Sequence, residues 1–522
     1  MNKVNSLLFK FAALLPIFCA ADPWPVPPSN ISNPGIDASG QDLAIDANGN
    51  VVAVWIENGF VMSRFNPISG SWSSPINTVS NSGASAPQVV LDDNGTGTAI
   101  WVENGLIKTA SQPLNGSWSA PQTLSGAGAS SPSIALDLSG DIVAAWVENG
   151  LIMSATKLIA GDWPATPDTI SASGASLPQV AVGTNGNVAV VWQGIDQSVP
   201  VIFAAVKDIA GSWNAAQIIS SAGIKCAKPN VAVSSDGKAT AVWFRYDVSG
   251  SQYSNVVVQS ASMPLNGAWS SPVDISNPGV TDPSQLICRI GVDGGRYAIA
   301  IWTTSFNGST FNEQWNVRID DKWSGSNDLA GYNLLAYDVD VAVDYKGNAY
   351  MAWMYLDPMS STLIVQGFVN DLKSLQPLSV KVWTLSAGGQ NAYPVAVSNK
   401  SGSALYGATV WLNNNGSYNG VQALTATFPI VAPPTQLTVA QQGNNFGVLT
   451  ELYNLLQWQA STTLNVIGYR IFRNGIMVQD VGANVLSYED QNRISGETVT
   501  YSVVAYDDIG FQSDPVTSVF SN

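Results

Sequence analysis

One segment recurs along most of this chain: a short apolar run that closes on tryptophan. It reads AVW at Trp55, AIW at Trp101, AAW at Trp146 and VVW at Trp192, spaced 46, 45 and 46 residues apart. It continues, with insertions, as AVW at Trp243, AIW at Trp302, MAW at Trp353 and TVW at Trp411, eight copies in all. A repeat of about 45 residues is one supersecondary unit, which buries its apolar face only by stacking on neighbouring copies. Within a copy the segment before the tryptophan alternates, as in Pro87-Gln-Val-Val-Leu-Asp92 and Pro178-Gln-Val-Ala-Val182, and a period of two marks a half-buried strand. A turn such as Asp46-Ala-Asn-Gly49 or Asp344-Tyr-Lys-Gly347 leads into the tryptophan strand. Asn58-Gly59, Asn104-Gly105 and Asn149-Gly150 then supply the positive φ of a second hairpin turn. A third strand follows, for example Leu106 to Ser111, and a Gly-x-Trp segment (Trp72, Trp118, Trp163, Trp213, Trp269) opens a fourth. Each unit is a four-stranded antiparallel meander, strands A to D, with the tryptophan on B.

Four antiparallel strands at this period are the signature of a β-propeller, in which radial packing leaves only short protected edges. The expected fold is all-β, an eight-bladed propeller over 22–430, with seven blades as the alternative because a divergent unit shifts the count by one. After Trp411 a strand C is present (Val421 to Phe428), but no strand D precedes Ala432-Pro433-Pro434. WPVPPSNISNPG, from Trp24 to Gly35, matches WSSPVDISNPG, from Trp269 to Gly279, an interior strand D. The N terminus is therefore expected to complete the last blade and close the ring. Residues 431–522 change character: Pro433-Pro434, Leu456-Gln-Trp458, Gly468-Tyr469-Arg-Ile-Phe472 and Tyr501-Ser-Val-Val-Ala-Tyr506 resemble a fibronectin type III sandwich. Tyr501 sits where that family places its strand-F tyrosine. The resemblance implies a spacer or interaction module.

Residues 1–21 combine Lys3 and Lys10 with an apolar run from Phe11 to Phe18 and the small-residue site Cys19-Ala20-Ala21, the pattern of a secretory signal peptide. A lipoprotein signal on Cys19 is the competing reading, disfavoured by the bulky Phe18 before it. Cleavage would remove two positive charges from a formal net charge of −16, giving −18, which repels phosphate backbones and anionic lipid. Nucleic-acid binding is not expected. No later segment has the roughly 18 apolar residues of a membrane-spanning helix. Export places the protein in the periplasm, at the cell surface or outside the cell. There, Cys226 and Cys288 are free to form a disulfide, with two buried thiols as the equal alternative.

The chain contains no histidine, which removes Ser-His-Asp and Cys-His catalysis and every imidazole metal ligand. Glu57, Glu103 and Glu148 each follow a strand-B tryptophan by two residues, a spacing that puts the carboxylate on the tryptophan's side at the strand end. Three such groups could line a metal or sugar site, against the plainer reading of turn-flanking acids. The Asp/Asn/Gly turns lack the alternating oxygen ligands and distant glutamate of calcium loops, so no cofactor is expected. The repeat is similar to the propellers of sialidases and related glycan-binding proteins. Asn115-Gly-Ser-Trp118 and Ser69-Gly-Ser-Trp72 keep the Gly-x-Trp of their Ser-x-Asp-x-Gly-x-x-Trp box but lack its aspartate. That likeness implies three arginines around an anionic substrate, whereas none of Arg64, Arg245, Arg289, Arg296 and Arg318 lies in an Arg-Ile-Pro setting.

Insertions give a sharper clue. From the strand-B tryptophan to the strand-D tryptophan, taking Trp323 and Trp383 as the latter in units six and seven, the distance is 17 in the first three units and then 21, 26, 21 and 30. In units four to six much of the extra length falls just after strand B, at Gln193 to Pro200, Phe244 to Tyr253 and Thr303 to Phe311, on the loop face where propeller ligands commonly sit. An irregular rim carrying Asp196, Arg245, Tyr246, Asp247, Tyr253, Phe306 and Tyr355 is the candidate ligand-binding site. The expected function is non-enzymatic binding or adhesion, with a glycan or an extracellular protein as partner. The alternatives are a glycosidase using carboxylates and a structural envelope component.

Overall fold

The computed structural model describes residues 27–521 apart from 69, 306–310, 329–335, 345–346, 358–361, 373–382, 387–390, 402–404, 415, 429–430, 446, 448–449 and 509–510. The segment expected to be a signal peptide and Phe306 lie outside the described residues. Among the described residues all the regular structure is β apart from one 3₁₀ turn at Pro283–Gln285. Eight sheets follow one another along the chain up to Phe428, each an antiparallel meander of four strands, with a fifth short strand in the sixth. The first is Ala38–Ile45, Val51–Glu57, Phe60–Asn66 and Asn77–Thr78. Each inner strand A packs against the inner strand of the next sheet, and Asn391–Ser401 of the eighth returns against Ala38–Ile45 of the first. The ring is a β-propeller architecture of repeated four-stranded sheets.

The eighth sheet takes its fourth strand from the other end of the chain, Ser29–Asn30, which pairs with Asn419–Phe428. Side chains finish this closure: Val421 N donates to Ser32 Oγ at 2.8 Å and Gln422 Nε2 to Asn30 Oδ1 at 2.9 Å.

The eight strand-B tryptophans are all essentially inaccessible and lie between sheets. Each packs back against the preceding sheet: Trp101 shares a cluster with Val54 and Val61, and Trp243 with Val191 and Ile202. A second rule ties C to D. The amides of Val61, Ile107, Ile152, Ile202, Val258, Val365 and Val421 each donate to a serine hydroxyl at the end of strand D, for example Ile152 to Ser171 at 2.7 Å and Val258 to Ser276 at 2.8 Å. A third rule holds the inner strands together, whose free edge would otherwise strand amide groups. Val89 N donates to Asp42 Oδ2 (2.9 Å), Ile134 N to Gln88 Oε1 (3.2 Å), Val180 N to Ser133 Oγ (3.1 Å) and Ile290 N to Asn230 Oδ1 (3.0 Å).

In the first three sheets and in the sixth and seventh the turn between A and B is closed by its own aspartate, whereas Asn185 and Ser234 take that role in the fourth and fifth. Asp46 Oδ1 accepts the amides of Asn48 and Asn50, and Asp293 Oδ1 those of Gly295 and Tyr297. Strand D is shorter than the sequence suggests, two residues in each sheet, and in the first five sheets it begins after its tryptophan. Trp383 differs from the rest. It stands within its strand D opposite Gly367, where the first sheet has Asn77 opposite Ser63, so it is not the counterpart of Trp72, and the spacing of 30 overstates that insertion by the five residues from Trp72 to Asn77.

Residues 435–521 form two further sheets, one of Thr435–Asn445, Thr450–Gln459 and Ser487–Arg493, the other of Ile476–Gly482, Val466–Arg473, Thr498–Asp507 and Val516–Ser521. Between them lie Leu456, Trp458, Tyr469, Ile471, Tyr501 and Val503. This core continues into the ring through an aromatic file in which Tyr350 meets Phe428 edge-on at 5.1 Å and Phe428 meets Phe511 at 5.4 Å. The connecting chain is pinned as well: Ala432 N donates to Thr463 Oγ1 and Ser461 Oγ to Ala432 O.

Candidate functional site

Glu57, Glu103 and Glu148 do lie on the tryptophan's side of strand B, and each is engaged there. The indole N–H of Trp55 donates to Glu57 Oε1 at 2.7 Å, that of Trp101 to Glu103 Oε2 at 3.2 Å and that of Trp146 to Glu148 Oε2 at 3.2 Å. The same carboxylates reach the connector arriving from the preceding sheet. Glu57 accepts Asn33 N and Nδ2, Glu103 accepts Asn81 N and Nδ2, and Glu148 accepts Gly126 N. For Glu103, burial raises the pKa, but the bonds from Asn81 and Trp101 outweigh it, and the net shift is downward. These glutamates clamp tryptophan to connector. Among the described residues no group of three or more acids or thiols is placed to hold a metal.

Other sheets satisfy the indole differently. Trp243, Trp302 and Trp411 each donate to a glutamine directly opposite on strand C, Gln259, Gln314 and Gln422, at 3.2 Å. The glutamine amide passes the bond on to strand D, at Asp274, Asp328 and Asn30.

The enlarged hairpins build the rim. Strands B and C run to seven residues each in the first three sheets, but to ten and ten in the fourth and eleven and twelve in the fifth. Asp196 stands at the tip of the fourth hairpin, beside Gln197 and Ser198, which turn the chain with φ of 45° and 71°. On the fifth, Arg245 forms a two-pronged pair with Asp274, Nε to Oδ1 at 3.1 Å and Nη2 to Oδ2 at 2.8 Å. That pairing holds Asp274 below its usual range and Arg245 above its own. Beyond it Tyr246 and Tyr253 lie 5.7 Å apart with their rings tilted by 49°, and Asn255 Nδ2 donates to Asp247 at 2.7 Å. Four of the expected rim residues thus share one hairpin, with Asp196 on the hairpin before. Tyr355 stands two sheets further on, half-buried against the core between sheets six and seven, in the place that Glu57 holds in the first sheet. Asp274, Asn255 and Gln259 adjoin these residues; Asp274 lies within the quoted WSSPVDISNPG segment, but only the strand register sets the three beside Arg245, Asp247 and Trp243.

Of the two arrangements open to the cysteines, the structure has free thiols. Cys226 and Cys288 are buried in separate clusters and unbonded. Burial pushes their pKa values up to about 11 and about 12.

Two clefts lie away from the rim. One of about 390 Å³ lies between sheets four and five, lined by Asn187, Lys207, Asp208, Gly237, Met263 and Asn266. In it Lys207 donates to Thr156 Oγ1 and sits 5.0 Å over the Trp213 ring. The other, about 370 Å³, follows the closing seam past Asn30, Arg64, Asn66 and Trp72. At the inner strands, burial raises Asp42 to about 7, with nearby Asp340 adding to the rise, and Asp340 Oδ1 lies 3.5 Å from Arg289 Nε.

No known family matches the chain, and no curated protein matches it. Among solved structures, it is similar to the Dos1 propeller at 10% identity, over 76% of this chain and 94% of that one, with a TM-score of 0.46. It is similar to the β-propeller domain of the trilobed protease from Pyrococcus furiosus, described as having an open velcro topology, at 8% identity over 66% and 96%, with a TM-score of 0.39. The spore cortex lytic enzyme SleM of Clostridium perfringens matches at 16% identity over 21% of this chain and 35% of its own, about a third of its length, with a TM-score of 0.17.

Proposed function

We propose that this is an exported, non-enzymatic binding protein: an eight-bladed propeller that recognises a glycan or an extracellular protein surface through its enlarged hairpins, followed by a fibronectin type III module. The observation that carries this reading is the fifth hairpin. It lifts a tyrosine pair beyond the regular length of the sheets and flanks it with fixed polar groups, Asp247 with Asn255 and Arg245 with Asp274. Aromatic faces with oriented polar neighbours suit the apolar face and hydroxyl edge of a sugar ring. Because Arg245 is matched by Asp274 and Asp196 and Asp247 remain, the rim suits neutral ligands better than anionic ones. For the C-terminal module, the three-plus-four division of strands and the buried Tyr501, which accepts from Asn454 Nδ2 at 3.0 Å, support the fibronectin type III reading.

The test is a glycan array probed with residues 22–522, with and without calcium, beside a Tyr246→Ala/Tyr253→Ala variant. Binding by the parent chain that the double variant loses is the expected result. No binding to any glycan removes the lectin reading and leaves a protein partner. A second reading, a glycosidase working through carboxylates, draws on Asp42, which burial raises to about 7 with the charge of Asp340 adding to the rise, since an acid held protonated near neutrality can serve as proton donor. Hydrolysis of an array ligand that Asp42→Asn abolishes without loss of binding would favour it.

A further inference from the structure

In seven of the eight sheets the strand-C residue opposite the position after the tryptophan is aliphatic: Val61, Ile107, Ile152, Ile202, Val258, Val365 and Val421, all inaccessible. Each belongs to the cluster shared with the next sheet's tryptophan, as Val61 does with Trp101 and Val258 with Trp302. In the sixth sheet the same register position, opposite Thr303, is Glu313. It is 1% exposed, and neither carboxyl oxygen has a hydrogen-bond partner among the described residues.

A second departure accompanies it. Elsewhere a strand-D serine accepts the amide of the residue in this position. Aligning Asp328-Leu329-Ala330 on Asp274-Ile275-Ser276 puts Ala330 in the serine's place in the sequence. The seam that Glu313 faces by this register is built of Ile299, Ile301, Val339, Val341, Met351 and Trp353. Of the titratable groups described on the elements packed there, Tyr297 and Tyr355 join this cluster, Asp340 is set toward Arg289, Arg318 donates to Thr240 and Ser262, and Tyr350 packs on Phe428. No charged residue contributes to the ionisation of Glu313. Burial drives its pKa well above the ordinary 4.5, and only its own backbone N–H acts the other way.

We propose that Glu313 makes the joint between the sixth and seventh sheets proton-sensitive, closed while the carboxyl is neutral and opened by its ionisation. A protonated carboxyl packs in an apolar seam at modest cost, whereas a carboxylate without a partner does not. The opened joint gives Glu313 to water at its ordinary pKa. The stabilisation is therefore complete below about pH 4.5 and is lost as pH rises toward the folded-state pKa, each unit raising the opening equilibrium about tenfold. The strand carrying Tyr355 lines this joint, so ligand access at that part of the rim would follow pH.

Hydrogen exchange read by mass spectrometry on peptides covering 312–319 and 348–357, between pH 5 and 8 and corrected for the pH dependence of chemical exchange, tests this on the whole chain. Wild type should lose protection at least tenfold more than Glu313→Val, which restores the side chain of the other sheets. Glu313→Gln should be insensitive to pH. Equal pH dependence in wild type and Glu313→Val, or lower protection of Glu313→Val at every pH, would overturn the proposal.

Discussion

At the residue scale, the tryptophan repeat is held by polar chemistry as much as by apolar burial. An inaccessible indole still has one N–H to place. The chain places it on a glutamate two residues along in the first three sheets and on a glutamine across the hairpin in the fifth, sixth and eighth. Glu103→Ala would strand both the Trp101 indole and the Asn81 amide, and a loss of about 1–3 kcal/mol is expected from urea unfolding. Glu103→Gln should lose less, since a carboxamide oxygen keeps one of these acceptor roles. An unchanged midpoint in Glu103→Ala would mean that the clamp is dispensable. From the sequence alone these glutamates read as groups at an open rim, because nothing in a single repeat reveals that the connector of the preceding sheet lies over them.

At the element scale, the hairpins divide into those with good turn chemistry and those that carry strain. Asn58-Gly59 has φ of 51° and 76°, values that Asn and Gly adopt readily, while Gln197-Ser198 holds the same kind of turn with side chains that disfavour it. Gln197→Asn with Ser198→Gly should therefore raise stability by about 0.5–1 kcal/mol in thermal unfolding, and a lower melting temperature would show that the two side chains make compensating contacts. Strand order, the Asp-led turns and the closing match between 24–35 and 269–279 were all legible, because period-two patterning and turn residues are local signals. The relays from Trp243 through Gln259 to Asp274 were not, because partners 15 or 16 residues apart meet only once the hairpin length fixes the register. Glu313 was hidden for the same reason: its meaning appears only when it is aligned, strand against strand, with seven aliphatic residues.

At the scale of the whole molecule, two contacts decide whether the parts act as one body: the closing strand and the Tyr350, Phe428, Phe511 file. Deleting residues 22–35 would expose the long edge of Asn419–Phe428 and release the amides that Ser32 and Asn30 hold. The shortened chain should unfold at lower urea and associate with rising concentration, as unprotected strand edges do. A monomer with the parent midpoint would show that the ring is held shut without this strand.

That closure also orders events in time. The residues that complete the eighth sheet are synthesised before all the rest of the ring, and their partners lie 389 and 392 positions further along the chain. Until Asn419–Phe428 has emerged, every earlier sheet can stack on its neighbour, but the circle has a gap with two bare flanks. Contacts of such long sequence separation form slowly. A chain threaded through a membrane N terminus first would therefore arrive as an open arc, and the interval before its ends meet is when a chaperone, or a second arc, has most to grasp.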